Sequence, residues 1–223
     1  MRKGPTGVGY TFERLIGKKE DNRQEPDYKG IEIKTMKYFS SQIIHLFSIN
    51  PDGDTSLALK NVINQLGYPD KDYPQYKVLS VSLKANEYTK LAYKRIKIEV
   101  NRKKEKIELV AYNTYGKIYK LDTSWSFKTI ENVYNQKMKE LAIIKACSKK
   151  INNEDYFLYT RIDFYKKKSF QKLLELMENG TISITFNISI HKDKENLGKE
   201  YNHGTHFAIK EKDIPLLFNS SNK

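Results

Sequence analysis

The chain has 223 residues, 39% hydrophobic and 30% charged, a size expected to fold as one ordinary domain or two small lobes without covalent staples. Lys and Arg number 40 against 27 Asp and Glu, a formal net charge of +13, which favours a polyanionic partner and makes nucleic acid the first candidate. The single cysteine, Cys147, excludes an internal disulfide and a multi-cysteine zinc site and fits a reducing, cytoplasmic setting. No apolar run approaches the roughly 18 residues of a membrane span, and nothing apolar follows the opening basic residues to make a secretory signal.

The first predicted helix covers about Val8 to Ile16, with Phe12, Leu15 and Ile16 on one stripe and Gly17 as its stop. The glycines from Gly4 to Gly9 follow no strand, so they are not a nucleotide cradle. They read either as a flexible lead-in whose amides and Lys3 reach phosphate, or as a structural turn. A polar loop, KKEDNRQEP, leads through Asp27 into a strand over Ile31 to Thr35. A second helix is predicted from Ser56 to Leu66, capped by Thr55 or Asp54 and closed by Gly67, and Pro69 and Pro74 then mark a loop.

From Tyr93 to Leu121 the segments RIKIEV, NRKKEK, IELVAY and KIYKL spell a three-strand meander. Ser126 caps a helix from Phe127 to about Lys139, and LAIIKAC after it reads as a short buried strand ending at an inert Cys147. Next come a strand, YFLYTRIDFY, a helix from Ser169 to Met177 ended by Gly180, and the long alternating strand TISITFNISI. A polar loop from Lys192 to Asn202 opens into His203-Gly204-Thr205-His206 ahead of a last strand, and the Asn219 to Lys223 tail reads as disordered. The fold class is α/β with a mixed sheet.

Along a strand, residues i and i+2 share a face, so Glu32 and Lys34 emerge side by side while Ile31 and Ile33 turn to the core, and Asp27 can join them across the bend. Two converging carboxylates make a hard-oxygen site for Mg²⁺, and Lys34 beside it can orient a nucleophile or balance charge on a phosphoryl transition state. Glu13, on the preceding helix, could complete the acidic cluster. The tripeptide alone reads more simply as one exposed face of an amphipathic strand. Its setting, Pro26-Asp27 followed by Glu-x-Lys, is the PD-(D/E)xK nuclease pattern. His203 and His206, placed on a polar loop, can donate to a guanine edge. The basic runs Arg102-Lys103-Lys104 and Lys166-Lys167-Lys168 are either phosphate contacts or solvated turns.

Taken together, Lys3-Gly4-x-Thr6-Gly7-x-Gly9-x-Thr11-Phe12-Glu13, Glu20-Asp21-Asn22 and Pro26-Asp27-x-x-x-Ile31-Glu32-Ile33-Lys34-Thr35 resemble the start of the MvaI/BcnI restriction endonucleases, in the MutH-like nuclease group. The resemblance continues through Leu46-Phe47, Trp125-Ser126-Phe127, Ala142 to Ala146, Glu178-Asn179-Gly180 and His203-Gly204-Thr205. It implies a restriction-endonuclease-like α/β core, a mixed sheet flanked by helices, with a DNA-reading lobe. The activity implied is that of a type II enzyme cutting specific sites in double-stranded DNA with Mg²⁺, as a monomer nicking one strand at a time.

By the same resemblance Asp27 and Glu32 are metal ligands, Lys34 the catalytic lysine and Glu13 a supporting acid, while His203, Thr205 and His206 belong to the DNA-reading part; Lys3 is expected to contact DNA from its place in the glycine segment. The lobes clamping the duplex are expected to centre on residues 1–50 and 93–150 for catalysis and on 51–92 and 151–223 for recognition. A cognate DNA methyltransferase is the expected companion. Ala208 stands where some relatives carry arginine, so base preference is not transferable. Two rivals remain at this point: a related mismatch-repair nicking enzyme that needs an activating partner, and a catalytically silent DNA-binding protein.

Overall fold

A computed structural model of the chain describes residues 6–18, 25–38, 43–91, 94–113, 115–116 and 118–221; Lys3, Gly4 and Glu20-Asp21-Asn22 lie outside these. In chain order the elements are α1 (Gly7–Leu15), β1 (Ile31–Lys37), β2 (Ile43–Ser48), α2 (Thr55–Leu66), β3 (Tyr68–Pro69), β4 (Lys77–Leu83), β5 (Thr89–Leu91), β6 (Lys94–Asn101), β7 (Lys106–Asn113), β8 (Ile118–Ser126), α3 (Phe127–Lys137), β9 (Glu140–Ile151), β10 (Glu154–Lys167), α4 (Phe170–Glu178), β11 (Ile182–Ile190), β12 (Glu200–Lys210), α5 (Ile214–Leu217) and β13 (Phe218–Ser220). They form two compact units, Met1–Ile44 with Asn132–Phe170 and Glu211–Lys223, and His45–Glu131 with Gln171–Lys210. The meander β6–β7–β8 therefore belongs to the second unit and the β9–β10 pair to the first. No described helix is long and apolar enough to cross a membrane.

The first unit is built on a mixed sheet in the order β1-β9-β10-β13, with β1 parallel to β9 and β10 antiparallel to both β9 and β13. Leu141 to Ala146 are buried at every position, as a strand covered on both faces requires, which is why this stretch shows no alternation. Beyond Ala146 the strand runs on to Ile151 as an exposed ribbon, so Cys147 is exposed rather than core. Asn152 and Asn153, both at positive φ (48° and 63°), close it as a two-residue hairpin loop into β10. The tail is ordered further than expected, because Phe218 is buried and Phe218 to Ser220 pair with Lys167 to Tyr165. Helix α1 lies close on β1: a Cβ at Gly9 would stand 3.1 Å from Thr35 Oγ1. Gly7 and Gly9 are thus helical and not a flexible lead-in.

The second unit holds two sheets, β2-β12-β11-β4-β3 and β5-β6-β7-β8. Trp125 is fully buried against Phe186 and Phe207, and its indole N–H donates to the Ile49 carbonyl at 3.1 Å. Helix α2 starts where Asp54 accepts the Leu57 N–H at 3.1 Å, and buries Ala58, Leu59, Val62, Ile63 and Leu66 along one stripe. Four of the six residues in the two basic runs have partners within the fold. Arg102 grips Glu178 and Gln171, Lys104 pairs with Glu108, Lys167 bonds Asn135, and Lys168 caps the carbonyls of Pro215 and Leu216. Strands β2 and β4 stand where the sequence reading had placed no element; β4 alternates, with Leu79, Val81 and Leu83 buried.

Candidate active site

The spacing between Asp27 and Glu32 is set by a tight turn. Tyr28 and Ile31 exchange backbone hydrogen bonds at 3.0 and 2.9 Å across Lys29 and Gly30, which sit at φ 48° and 82°. The chain doubles back, and the Ile33 N–H then donates to Asp27 Oδ2 at 2.9 Å. That bond orients the carboxylate and leaves Oδ1 facing Lys18, whose ammonium is paired with it.

Strand β1 buries the opposite face from the one expected. Glu32 is 1% exposed and Met36 is buried, whereas Ile31 and Ile33 are only half-buried. In the parallel register Glu32 and Lys34 lie beside Leu141 and Ile143, in the stretch of the sheet where β9 is buried at every position. The reading of Glu-x-Lys as a solvated face is thereby excluded. Lys34 Nζ donates to Glu32 Oε1 at 2.6 Å, and Lys137, from the last turn of α3, stands 3.6 Å from the same oxygen. Glu32 Oε2 is buried with no hydrogen-bond partner.

Burial pushes the Glu32 carboxyl above the usual carboxylate range; Lys34 and Lys137 pull it back down and Asp27 adds to the rise. A buried, charge-prone oxygen without a donor, next to a second carboxylate, suits a divalent cation that takes one or two protein carboxylates and completes its shell with water and phosphate oxygen. The donor set is therefore compatible with Mg²⁺. Glu13 is half-buried on α1, one turn beyond Gly9. Among the described residues no three His, Cys, Asp or Glu side chains gather into a metal-holding group. Lys18 and Lys137 were not anticipated. One sits in a polar loop and the other on a helix end, and neither position carries a sequence signal.

The residues expected to read DNA lie on β12, within the second unit, and not on a loop. The polar segment had concealed the strand, which pairs from Ile190 opposite Glu200 onward. Phe186 pairs with Thr205 and Ile188 with Asn202, so β12 carries one extra residue at His203–Gly204, a bulge that Gly204 accommodates at φ 99°. His203 is exposed, its Nε2 2.8 Å from Ser189 Oγ. Both His206 nitrogens are engaged, Nδ1 with Ser48 Oγ at 2.6 Å and Nε2 with the His203 carbonyl at 3.0 Å, and its ring stacks on His45. Thr205 is fully buried, with Oγ1 unpartnered.

A mixed sheet carrying Asp, Glu and Lys at this spacing defines a restriction-endonuclease-like core, and solved structures agree. The chain matches the structure described as the restriction endonuclease MvaI–cognate DNA substrate complex with a TM-score of 0.89 at 27% identity, covering 99% of this chain and 89% of that one. Against MvaI in the absence of DNA the TM-score is 0.64 at 25% identity, with the same coverage. No curated protein matches. The profile of the MvaI/BcnI restriction endonuclease family matches residues 1–218, and the chain belongs to that family. It is accordingly a deoxyribonuclease.

Proposed function

We propose that this protein is a type II restriction endonuclease that hydrolyses double-stranded DNA at a specific sequence with Mg²⁺, acting as a monomer that nicks one strand at a time. The observation that carries the reading is the buried Glu32 carboxylate, held by Lys34 and left with one unpartnered oxygen beside Asp27. Asp27 and Glu32 are the residues to hold the ion. When bound, Mg²⁺ supplies Lewis acidity toward phosphate oxygen and toward water. Lys34, whose side chain is partly exposed and whose ammonium is bonded to Glu32, orients the attacking water or balances charge building on the phosphate. Glu13 supports the acids from α1. The first unit is the catalytic lobe and the second the reading lobe, a division that moves the meander into the reading half. There His203 meets the duplex directly and His206 acts by fixing the shape of the β12 bulge, while Lys3, in the sequence of the first unit, contacts phosphate. A DNA methyltransferase protecting the same site is the expected companion.

The test is plasmid DNA with Mg²⁺ and no other protein. Discrete fragments support restriction; feeble nicking that awaits an activator would indicate a repair enzyme, and mere retardation of the DNA a silent binder. Asp27→Ala and Glu32→Ala should each lower cleavage by about 10³-fold or more while DNA binding persists. Cleavage by either variant at the wild-type rate would defeat the assignment.

A further inference from the structure

Asp27 has one oxygen committed to the fold and one to a lysine. Oδ2 accepts the Ile33 N–H, and Oδ1 is paired with Lys18 Nζ, so the oxygen left for a ligand is already held by an ammonium of the same chain. This is no loose surface pair, because the side chains of Lys18 and Asp27 are only 15% and 14% exposed. The backbone of Lys18 is fixed as well. Gly17, at φ 75°, ends α1 in a Schellman motif in which the Gly17 N–H donates to the Arg14 carbonyl at 3.1 Å and the Lys18 N–H to the Glu13 carbonyl at 2.8 Å. Among the described residues three ammonium groups, those of Lys18, Lys34 and Lys137, stand on these two carboxylates. An ammonium already paired with a ligand oxygen opposes the entry of a divalent cation there.

We propose that Lys18 is a tethered counter-cation that competes with the divalent ion for Asp27 and keeps the DNA-free protein a weak metal binder. The inference rests on the reading of Asp27 and Glu32 as metal ligands. It makes Lys18 a positioning residue: its ammonium holds the Asp27 carboxylate in place and must leave Oδ1 when the ion arrives. Glu32 Oε2 needs no such displacement.

The test measures Mn²⁺ binding to the full chain without DNA, by calorimetry and by the electron paramagnetic resonance of free Mn²⁺. Lys18→Met should bind Mn²⁺ more tightly, by roughly 5- to 150-fold if the two cations oppose one another as strongly as typical coupled ligands do. Lys18→Arg should stay close to wild type, and Lys18→Met combined with Asp27→Asn should lose the gain. If Lys18→Met fails to fold, as judged by its thermal melt, Lys18→Gln serves with the same expectation. A folded Lys18→Met or Lys18→Gln protein that binds Mn²⁺ no better than wild type overturns the proposal. Should Asp27→Asn alone abolish binding while neutral substitutions of Lys18 bring no gain, only the role of Lys18 fails. Should Asp27→Asn leave binding unchanged, the metal-site reading fails with it.

Discussion

The backbone N–H of Ile33 donates to Asp27 Oδ2 at 2.9 Å, so the strand that carries Glu32 also orients the other acid of the pair. One turn, Tyr28 to Ile31, sets the distance between the two carboxylates, and it depends on a left-handed Gly30 at φ 82°.

Gly30→Ala should therefore disturb catalysis through geometry. A Cβ at this φ costs about 1–2 kcal/mol, although no neighbouring atom blocks it. The expected result is a folded protein of modestly lower stability whose cleavage rate falls more than its DNA affinity, measured by denaturant unfolding alongside single-turnover kinetics.

Glu32 sets a pH dependence of definite sign. Its raised pKa means the folded protein holds this proton more tightly than the unfolded chain does, so its contribution favours folding at low pH and is lost as pH rises from the ordinary carboxylate value through the raised one. In metal-free urea melts, Glu32→Gln should gain stability on wild type as pH climbs toward neutral. Cleavage by wild type, which needs the ionised form, should in turn fade at a higher pH than an ordinary glutamate would dictate.

Thr205→Val removes a fully buried hydroxyl that has no partner. The substitution should raise stability by about 1 kcal/mol and leave sequence specificity unchanged, read from the unfolding midpoint and from digestion patterns. A shifted recognition pattern would show that Thr205 meets the duplex after all.

Arg102→Ala tests whether the basic turn serves DNA or the fold. Because Arg102 grips Glu178 and Gln171, the variant should lose up to about 1 kcal/mol of stability with little change in DNA affinity or in its salt dependence. A flatter salt slope with unchanged stability would reverse the assignment.

Strand β1 is legible in the sequence because a short motif and a turn glycine act locally. The α2 cap, the meander and the apolar β9 run are also local signals, and each appears near its expected place. What the sequence hid depends on partners far along the chain. Glu32 reads as solvent-facing until β9 is laid beside it, and β12 reads as loop because its polar half is ordered by pairing with β11. Lys137 approaches Glu32 across more than one hundred positions, which no window of residues reports.

The parallel pairing of Ile31–Lys37 with Glu140–Ala146 also times the enzyme's birth. A ribosome that has made only the first half of the chain has already released Asp27, Glu32 and Lys34, yet the strand that shelters them has not been synthesised. The nascent polypeptide thus carries these groups unassembled, and the capacity to cut waits until Glu140–Ala146 has been made. Premature termination before Ala146 should accordingly leave fragments harmless to the chromosome.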